Sequence, residues 1–504
     1  MFYSAVTRFS TQIDVLFPYG KYLFRRPDAS VKYNATDSCQ MFAVLVERAI
    51  KLMIEVHCEG QGSLRIRPKN QKGGNYESNL YFSFGSQSLT SPVARDLLRV
   101  GQAAFLADRA FRRGTVLGQR TRRLTLVLPV EEPDRWSDIS GLVGQLAEFA
   151  SQDYWQFEFK SLRKARKQKL RPPLIGSDNV SINLFSNGLD SLCGVAAAFK
   201  RKEVPVLVSH SPPGIQHVRL KITALAEALG YGNLKPQFVN IRFRASDRDR
   251  SGRRNMFPER SRRTRPMLFL SMAGAVALEL GISKIHINEN GVLAINLPFE
   301  SHLHGANASR HAHPETLRRF ESLLKALWPL SSQPLVRNPF SQLTKAEEIR
   351  HLHKAKDMAE RTITCEYAGQ QMAMLINWLK RTRGRHEVAR ECGLCMPCLV
   401  RRCAMESAGL FETAGHYVFD ARRTLKKRKA YKDAPLFRVV QENVKTLHEF
   451  SRKIDQMKKS EFALAYLSDL SLVPASAEEI GESTRATYRL YQRFAREFID
   501  FIAA

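Results

Sequence analysis

Alternating strand and helix patterns between residues 178 and about 350 constrain the fold of this chain most strongly. Four short β-prone runs are separated by longer segments of helical periodicity, and the runs read VSINLF, VPVLVSH, QFVNIRF and KIHINEN. Continuous apolar strands joined by helices are typical of a parallel sheet that is covered on both faces. Ligands of such sheets bind beyond the carboxyl ends of the strands. The sequence therefore predicts an α/β fold with a parallel, doubly wound sheet and a binding site at that edge.

The regions on either side of this core follow other patterns. Residues 1–172 mix short β-prone pieces with helical segments, which predicts an α+β N-terminal domain whose role the sequence does not indicate. Residues 404–504 contain two long segments with apolar residues at intervals of three and four, which predicts a helical C-terminal extension. The length of 504 residues suits about three domains. The predicted boundaries are 1–172, 173–403 and 404–504.

The chain is strongly basic, with a net charge of +29. This excess of Lys and Arg indicates an anionic partner, so a nucleotide phosphate, nucleic acid and an acidic protein all remain open. No membrane is expected, because the most apolar stretch, residues 267–282, is too short and too polar to span a bilayer. Eight cysteines without a secretory pattern indicate a reduced, cytoplasmic protein.

The turn between the first strand of this sheet and its helix reads SNGLDS, over residues 186–191. A helix N-terminus carries free N–H groups and a partial positive charge, and small residues let phosphate oxygens approach them. Asp190 would repel a phosphate unless Mg²⁺ lay between them, which indicates a nucleotide–metal site. A helix N-cap in a tight Asn-Gly turn is the alternative.

Three cysteines at two-residue intervals, Cys392, Cys395 and Cys398, indicate a metal centre. This spacing lets backbone turns aim thiolates at one ion, and a closed zinc site needs a fourth ligand. Cys365 is the predicted fourth ligand of Zn²⁺, with Cys403 as the fallback. An iron–sulfur cluster is the alternative to zinc.

The loop and the cysteines together resemble one family. SNGLDS is similar to the SGGxDS loop that grips pyrophosphate in the PP-loop ATP pyrophosphatases, with Asn187 where that family usually has Gly. Asn tolerates unusual backbone angles better than most residues, so the loop can keep its shape. The later pattern C…CGxCxxCxxR, which ends at Arg401, resembles 7-cyano-7-deazaguanine synthase, known as QueC. The resemblance covers about residues 178–403 and implies a HUP-like sheet with a zinc knuckle at 365–398.

The segment after the fourth strand departs from the small synthase. It reads NENGVLAINLPFESHLHGANASRHAHPE, and NPFSQLTKAEE follows. These features and the long N-terminal region look more like the QueC-like proteins of bacterial anti-phage systems, Qat and type IV CBASS. That resemblance implies an AMP- and pyrophosphate-forming ligase that activates a 7-deazaguanine carboxylate with ATP. The acceptor would be the N-terminus of a partner protein from the same defence operon. A PP-loop tRNA-modifying enzyme and an inactive nucleotide-binding scaffold are the alternatives.

The resemblance and the strand ends together assign roles to residues. The predicted ATP contacts are Ser186, Asn187, Gly188, Leu189, Asp190, Ser191, Ser209, His210 and Arg265. The predicted substrate contacts are Asn288, Glu289, Asn290, Arg310 and His313. Asp190, through Mg²⁺, and Lys345, on a phosphate or the acyl adenylate, are the expected catalytic residues.

Glu289 has a specific predicted role, because a carboxylate matches the N1–H and N2–H₂ edge of a guanine-like ring. A helix cap or a surface acid is the alternative. Histidines 302, 304, 311 and 313 follow it in a Gly- and Ser-rich segment, which favours a loop over a metal cluster.

Ten arginines lie between residues 241 and 266, beside the predicted ATP edge of the sheet. They predict a lid that closes on phosphate. Guidance of RNA, contact with an acidic partner and a solvated loop all remain open.

Overall fold

The computed structural model describes most of the chain beyond residue 52. The described residues are 53–67, 76–78, 89–114, 121–162, 179–210, 215–241, 243–246, 257–299, 310–330, 333–367, 370–383, 390–413, 415–422, 437–466 and 477–504. All of them belong to one unit, Ala49–Ala504. Much of the arginine-rich segment and the histidines at 302 and 304 lie outside the described residues. The three domain boundaries stay predictions.

A mixed sheet forms the described part of the N-terminal region. The region contains strands β1 (Ile54–Cys58), β2 (Gly62–Ile66), β3 (Tyr76–Ser78), β4 (Arg123–Val130) and β5 (Tyr154–Ser161), and helices α1 (Pro92–Ala110), α2 (Pro133–Asp138) and α3 (Ser140–Ser151). The spatial order is β2–β1–β4–β5, with β1 antiparallel to both neighbours and β4 parallel to β5. Leu124, Leu126 and Leu128 of β4 alternate with less buried residues, as a strand with one core face requires.

The parallel sheet is present, with five strands among the described residues. They are β6 (Val180–Leu184), β7 (Val204–His210), β8 (Gln237–Ile241), β10 (Lys284–His286) and β11 (Leu335–Arg337), while β9 (Phe243–Ala245) pairs with β3 instead. The spatial order is β11–β10–β6–β7–β8, and every neighbouring pair is parallel. The helices between these strands are α4 (Leu189–Lys200), α5 (Ile215–Ala228), α6 (Arg265–Leu280), α7 (Gly291–Ile295) and α8 (Pro314–Leu327).

The order of these strands reverses at β6. The chain runs outward through β7 and β8, then crosses back to β10 and β11 on the other side of β6. Such a reversal opens a crevice outside the carboxyl ends of the two central strands, here β6 and β10. Residues 186–191 follow β6 and residues 288–290 follow β10. The topology therefore brings two separately predicted site segments to one crevice.

Both faces of the parallel sheet are buried, as its continuous apolar strands predict. Val206 and Val208 of β7 face the core that contains α6, whereas Leu207 between them faces the core that contains α4 and α5. Helix α6 is apolar on most sides because α1 covers the face that the sheet leaves open. A Cβ atom on Gly101 of α1 would stand 1.9 Å from Ser271 Oγ of α6, so only glycine permits this crossing.

Helices form the rest of the described chain. They are α9 (Lys345–Ile349), a 3₁₀ helix (Arg350–Ala355), α10 (Lys356–Glu360), α11 (Gln370–Arg383), α12 (Met396–Ser407), α13 (Phe437–Gln456), α14 (Lys459–Ala465) and α15 (Ala477–Ala503). The predicted helical C-terminus is confirmed. Helix α15 packs on α13 through Tyr491 and Phe450, and it also contacts α7 and α12. Among the described helices, none has the length and apolar character needed to cross a bilayer.

Candidate functional site

The 186–191 loop turns the chain from β6 into α4. Asn187 has a φ of 62°, in the left-handed region, which Asn tolerates better than most residues. Gly188 is the N-cap residue, so no side chain caps the first turn of α4. Ser186 Oγ accepts a hydrogen bond from Gly188 N at 3.3 Å, and Ser191 Oγ donates to Gly188 O at 2.9 Å. Uncapped N–H groups beside two hydroxyls are the donors that an anion needs.

Two of the loop residues differ in what they can offer a ligand. The side chain of Leu189 is buried in the apolar core behind the loop, so only its backbone N–H can face a ligand. Asp190 is the next residue, and its side chain remains 23% exposed. Asp190, unlike Leu189, therefore keeps part of its side chain accessible to a ligand.

Asp190 forms a close ion pair with Lys345, the first residue of α9. Lys345 Nζ lies 2.5 Å from Asp190 Oδ1 and 2.6 Å from Oδ2. Burial disfavours the charged form of both groups, but the charge of each partner prevails, which lowers the pKa of Asp190 and raises that of Lys345. The crevice thus holds a carboxylate and an ammonium together at neutral pH.

Glu348 lies beside this pair, one helical turn after Lys345, and sequence reasoning missed it. Its side chain is fully buried, and within the described residues neither carboxyl oxygen has a hydrogen-bond donor. Burial and the charge of Asp190 raise the pKa of Glu348 well above its ordinary value, against the effect of Lys345. This shift favours the protonated form of Glu348 beside the Asp190 carboxylate. Its spacing of three from Lys345 was the available signal.

The predicted substrate residues after β10 join the same cluster. Asn290 Nδ2 donates to Asp190 Oδ1 and to Glu289 Oε1, both at 3.3 Å, and Asn290 Oδ1 caps α7. Glu289 Oε2 lies 2.9 Å from Nε2 of His311. The carboxylate of Glu289 is thus already engaged at both oxygens. Asn288 instead packs against Gly194 of α4, where a Cβ atom would stand 2.1 Å from it.

Lys345 is held in place from the C-terminal region. Thr344 caps α9 and forms a capping box with Glu347. Thr344 Oγ1 also donates to Glu497 of α15 at 2.6 Å, and Arg493 of α15 pairs with Glu347 at 2.9 Å. Burial raises the pKa of Glu497 to about 7. The last helix therefore supports the segment that delivers the lysine to the loop.

Lys221 of α5 also contacts the loop, and no sequence pattern marked it. Its Nζ donates to Asn187 Oδ1 at 3.2 Å. Burial and the positive charges of Arg401 and Arg361 lower the pKa of Lys221 to about 8.

The predicted contacts at the second strand form a separate group. Ser209 is buried in β7, and the His210 ring bonds to Phe243 O at 2.9 Å. The guanidinium of Arg265 stacks 5.0 Å from the Phe269 ring, which lies 6.0 Å from the His210 ring. These residues share one end of the sheet, but no described contact joins them to Asp190 or Lys345.

Arg310 and His313 lie against the N-terminal region. Arg310 donates to Phe149 O at 2.7 Å and stacks 4.5 Å from that ring. His313 is buried, caps α8 through Glu315 N, and lies 5.2 Å from the same ring. Burial lowers the pKa of His313 to about 4, so it is neutral. These contacts anchor the start of α8, and no described contact joins either residue to the loop.

The four predicted cysteines, Cys365, Cys392, Cys395 and Cys398, meet in one buried centre. Their sulfur atoms all lie within 4.8 Å of one another. The Cys392–Cys398 and Cys365–Cys395 sulfur distances are 3.8 Å and 4.0 Å. Four sulfurs bound tetrahedrally to zinc lie about 3.8 Å apart, since each bond is about 2.3 Å. The residues therefore fit a zinc ion, and Cys365, not Cys403, completes the set.

Local backbone geometry shapes this centre. Gly393 has a φ of 84°, and a Cβ atom there would stand 2.2 Å from Phe419 O, so glycine is required. Glu391 is buried beside the cysteines, where its carboxylate accepts hydrogen bonds from the backbone N–H groups of Thr364 and Cys365. Cys395 is the N-cap residue of α12, and its side chain makes no capping hydrogen bond. The turn and the helix start together aim the sulfurs inward.

Arg401 of α12 connects the cysteine centre to the crevice side of the molecule. Its fully buried guanidinium donates to Ala359 O at 2.9 Å and to Thr362 O at 3.0 Å, at the end of α10. It also pairs with Glu412 at 2.8 Å. Because α9 packs on this helix, we expect a folded cysteine centre to stabilise the segment that carries Lys345.

The fold and sites define a mixed α/β protein with a parallel sheet, a helical C-terminus and a four-cysteine centre that could bind zinc. No model of a known protein family matches the chain, and no curated protein matches it.

Proposed function

We propose that this chain is a PP-loop ATP pyrophosphatase of the QueC-like type, with a HUP-like sheet. It is an AMP- and pyrophosphate-forming carbon–nitrogen ligase that adenylates a 7-deazaguanine carboxylate. It then transfers the acyl group to an amine, the N-terminus of a partner protein in bacterial anti-phage defence. One observation carries the proposal: the 186–191 loop lies where the strand order reverses, with the Asp190–Lys345 pair at the start of α4.

The loop supplies the contacts that a polyphosphate requires. The first N–H groups of α4 and the hydroxyl of Ser186 donate to phosphate oxygens, and the hydroxyl of Ser191 would do so by turning away from Gly188 O. A carboxylate oxygen of the substrate attacks the α-phosphorus of ATP, and the bond to pyrophosphate breaks. Lys345 stabilises the negative charge that develops, because an ammonium in a buried site acts strongly on nearby charge. The attacking amine then forms the C–N bond, loses a proton, and AMP leaves with the C–O electron pair.

Mg²⁺ fits the loop through a single protein carboxylate. Magnesium is usually held by one or two carboxylates together with substrate phosphates. Asp190 meets that need, because its carboxylate is ionised and partly exposed. The ion would neutralise phosphate charge, and Asp190 would position it beside Lys345.

Two alternatives keep their own support. The net charge of +29 favours a PP-loop enzyme that modifies tRNA. Tight co-purification with tRNA, or the absorbance of an iron–sulfur cluster, would favour that function. Asn187, which replaces the usual Gly, is the feature that permits an inactive nucleotide-binding scaffold. ATP binding without AMP formation would favour the scaffold.

The first test is acceptor-dependent turnover. The protein is incubated with ATP, Mg²⁺ and 7-carboxy-7-deazaguanine, with ammonia or a candidate partner protein, and AMP and the mass of the partner are measured. We expect AMP only with the deazaguanine acid, and an amide adduct on the partner. Asp190→Asn should slow AMP formation by about 100-fold or more. The matched control is Asp357→Asn, an exposed acid of α10; equal activity of both variants would refute the assignment of the loop.

A further inference from the structure

Lys221 approaches the 186–191 loop from a helix that the sequence did not connect with it. Its Nζ lies 3.2 Å from Asn187 Oδ1, and Ser186 and Asn187 are both exposed. The contact is made by the second residue of the loop, before α4 begins. An anion seated on the first turn of α4 would therefore meet the Lys221 ammonium next to the loop.

The two lysines beside the loop, Lys345 and Lys221, differ in whether a carboxylate neutralises their charge. Lys345 is neutralised by Asp190, so that pair adds little net charge. Lys221 and Arg361 lie close enough to repel each other, and no carboxylate of the described chain pairs with either of them. Arg401, the other cation that acts on Lys221, is paired with Glu412. Among the described residues, Lys221 therefore brings an unneutralised positive charge to the loop.

We propose that Lys221 is a phosphate-binding residue that holds the terminal phosphates of ATP, and that the polyphosphate extends from α4 towards α5. This inference rests on the proposed ATP-dependent function. In it, Lys345 acts at the α-phosphate beside Asp190, and Lys221 holds the pyrophosphate until it leaves. Asn187 Oδ1 positions the Lys221 ammonium before ATP arrives.

Calorimetric binding of ATP with Mg²⁺, without the acid substrate, tests the contact. We expect Lys221→Met to weaken ATP binding by about 10-fold, the loss of one charge-assisted hydrogen bond. Lys221→Arg should stay within about threefold of the wild type, since the charge remains. AMP should bind all three proteins equally, because it lacks the terminal phosphates. The matched control is Lys200→Met, which removes a lysine from the opposite end of α4.

The pH dependence of ATP binding shows whether Lys221 acts through its charge or through packing. Lys221 loses its proton as the pH rises through about 8, so ATP affinity should fall over that range in the wild type. The charged groups that face it are Arg361 and Arg401. Lys221→Arg should therefore bind ATP with no such fall.

The outcomes distinguish this inference from the proposed function. If the wild type does not bind ATP, the proposed function is wrong and the inference falls with it. Only the inference is wrong if the wild type binds ATP and Lys221→Met binds it equally well. The same holds if the affinity of Lys221→Met for AMP falls as much as its affinity for ATP. If the affinity of Lys221→Arg for ATP also falls as the pH rises through about 8, the inference is contradicted.

Discussion

The four-cysteine centre and the 186–191 loop are built alike and differ in one respect. Each places ionisable groups at the start of a helix, α12 after Cys395 and α4 after Gly188. The cysteine centre is closed, because all four side chains are buried and their sulfurs face one point. The loop is open, because Ser186 and Asn187 are exposed and Asp190 remains partly so.

This difference indicates a structural role for the cysteine centre and a chemical role for the loop. A closed set of four ligands leaves no position for a substrate, which is typical of a structural metal. An open helix start with a carboxylate and an ammonium can bind a charged ligand and act on it. The comparison predicts that the cysteine centre controls stability and the loop controls chemistry.

The largest expected effect is the loss of the cysteine centre. Cys395→Ser should abolish bound zinc and lower the melting temperature strongly, because metal binding contributes directly to folding in such sites. Elemental analysis and thermal unfolding measure both. Cys403→Ser is the control, since Cys403 lies on the same helix outside the centre; equal zinc content in the two variants would contradict the assignment.

The second largest effect is expected for Lys345→Met. It leaves Asp190 without its cation in a buried site, so we expect a loss of about 3–5 kcal/mol in the free energy of unfolding. AMP formation should also be lost, while zinc content stays unchanged. Denaturant unfolding measures the first effect, with Lys354→Met as an exposed control nearby. An unchanged unfolding midpoint would show that the pair is not formed.

Glu348→Gln should have a small effect in spite of complete burial. Because burial and the charge of Asp190 favour the neutral form of Glu348, a neutral amide should replace its carboxyl group at little cost, and the free energy of unfolding should change by less than about 1 kcal/mol. A loss as large as that of Lys345→Met would mean that Glu348 is ionised in the folded protein. The same denaturant series measures both variants.

Glu497→Gln tests the helix that supports Lys345, through pH. The folded-state pKa of Glu497 is raised from 4.5 to about 7. Its contribution to stability is therefore complete below the unfolded value and is lost as the pH rises through about 7. Stability of the wild type should fall across that window more steeply than stability of Glu497→Gln. Asp500→Asn, exposed on the same helix, should leave the slope unchanged.

The sequence predicts what depends on neighbouring residues. The strand–helix alternation predicts the parallel sheet, and a Gly-containing turn before an apolar helix predicts the loop at residues 186–191. Regular spacing predicts three cysteine ligands. Each of these signals arises within about one helix length, where local geometry decides the structure.

Other parts depend on contacts between distant segments. Strand β11 has only three residues, too few for a pattern, although it completes the sheet. Lys221 meets Asn187 across 34 positions because α5 packs beside α4, which no local pattern records. Arg310 and His313 meet Phe149 because α8 packs on α3, and their role at the substrate stays a prediction.

The identity of the products of ATP tests the central claim most directly. Phosphorus NMR of ATP turnover with Mg²⁺ and the deazaguanine acid distinguishes cleavage at the α-phosphorus from cleavage at the γ-phosphorus. The loop, with Lys345 beside its α-phosphate position, predicts AMP and pyrophosphate in equal amounts. ADP and orthophosphate as the products would contradict the account, whichever acceptor is supplied.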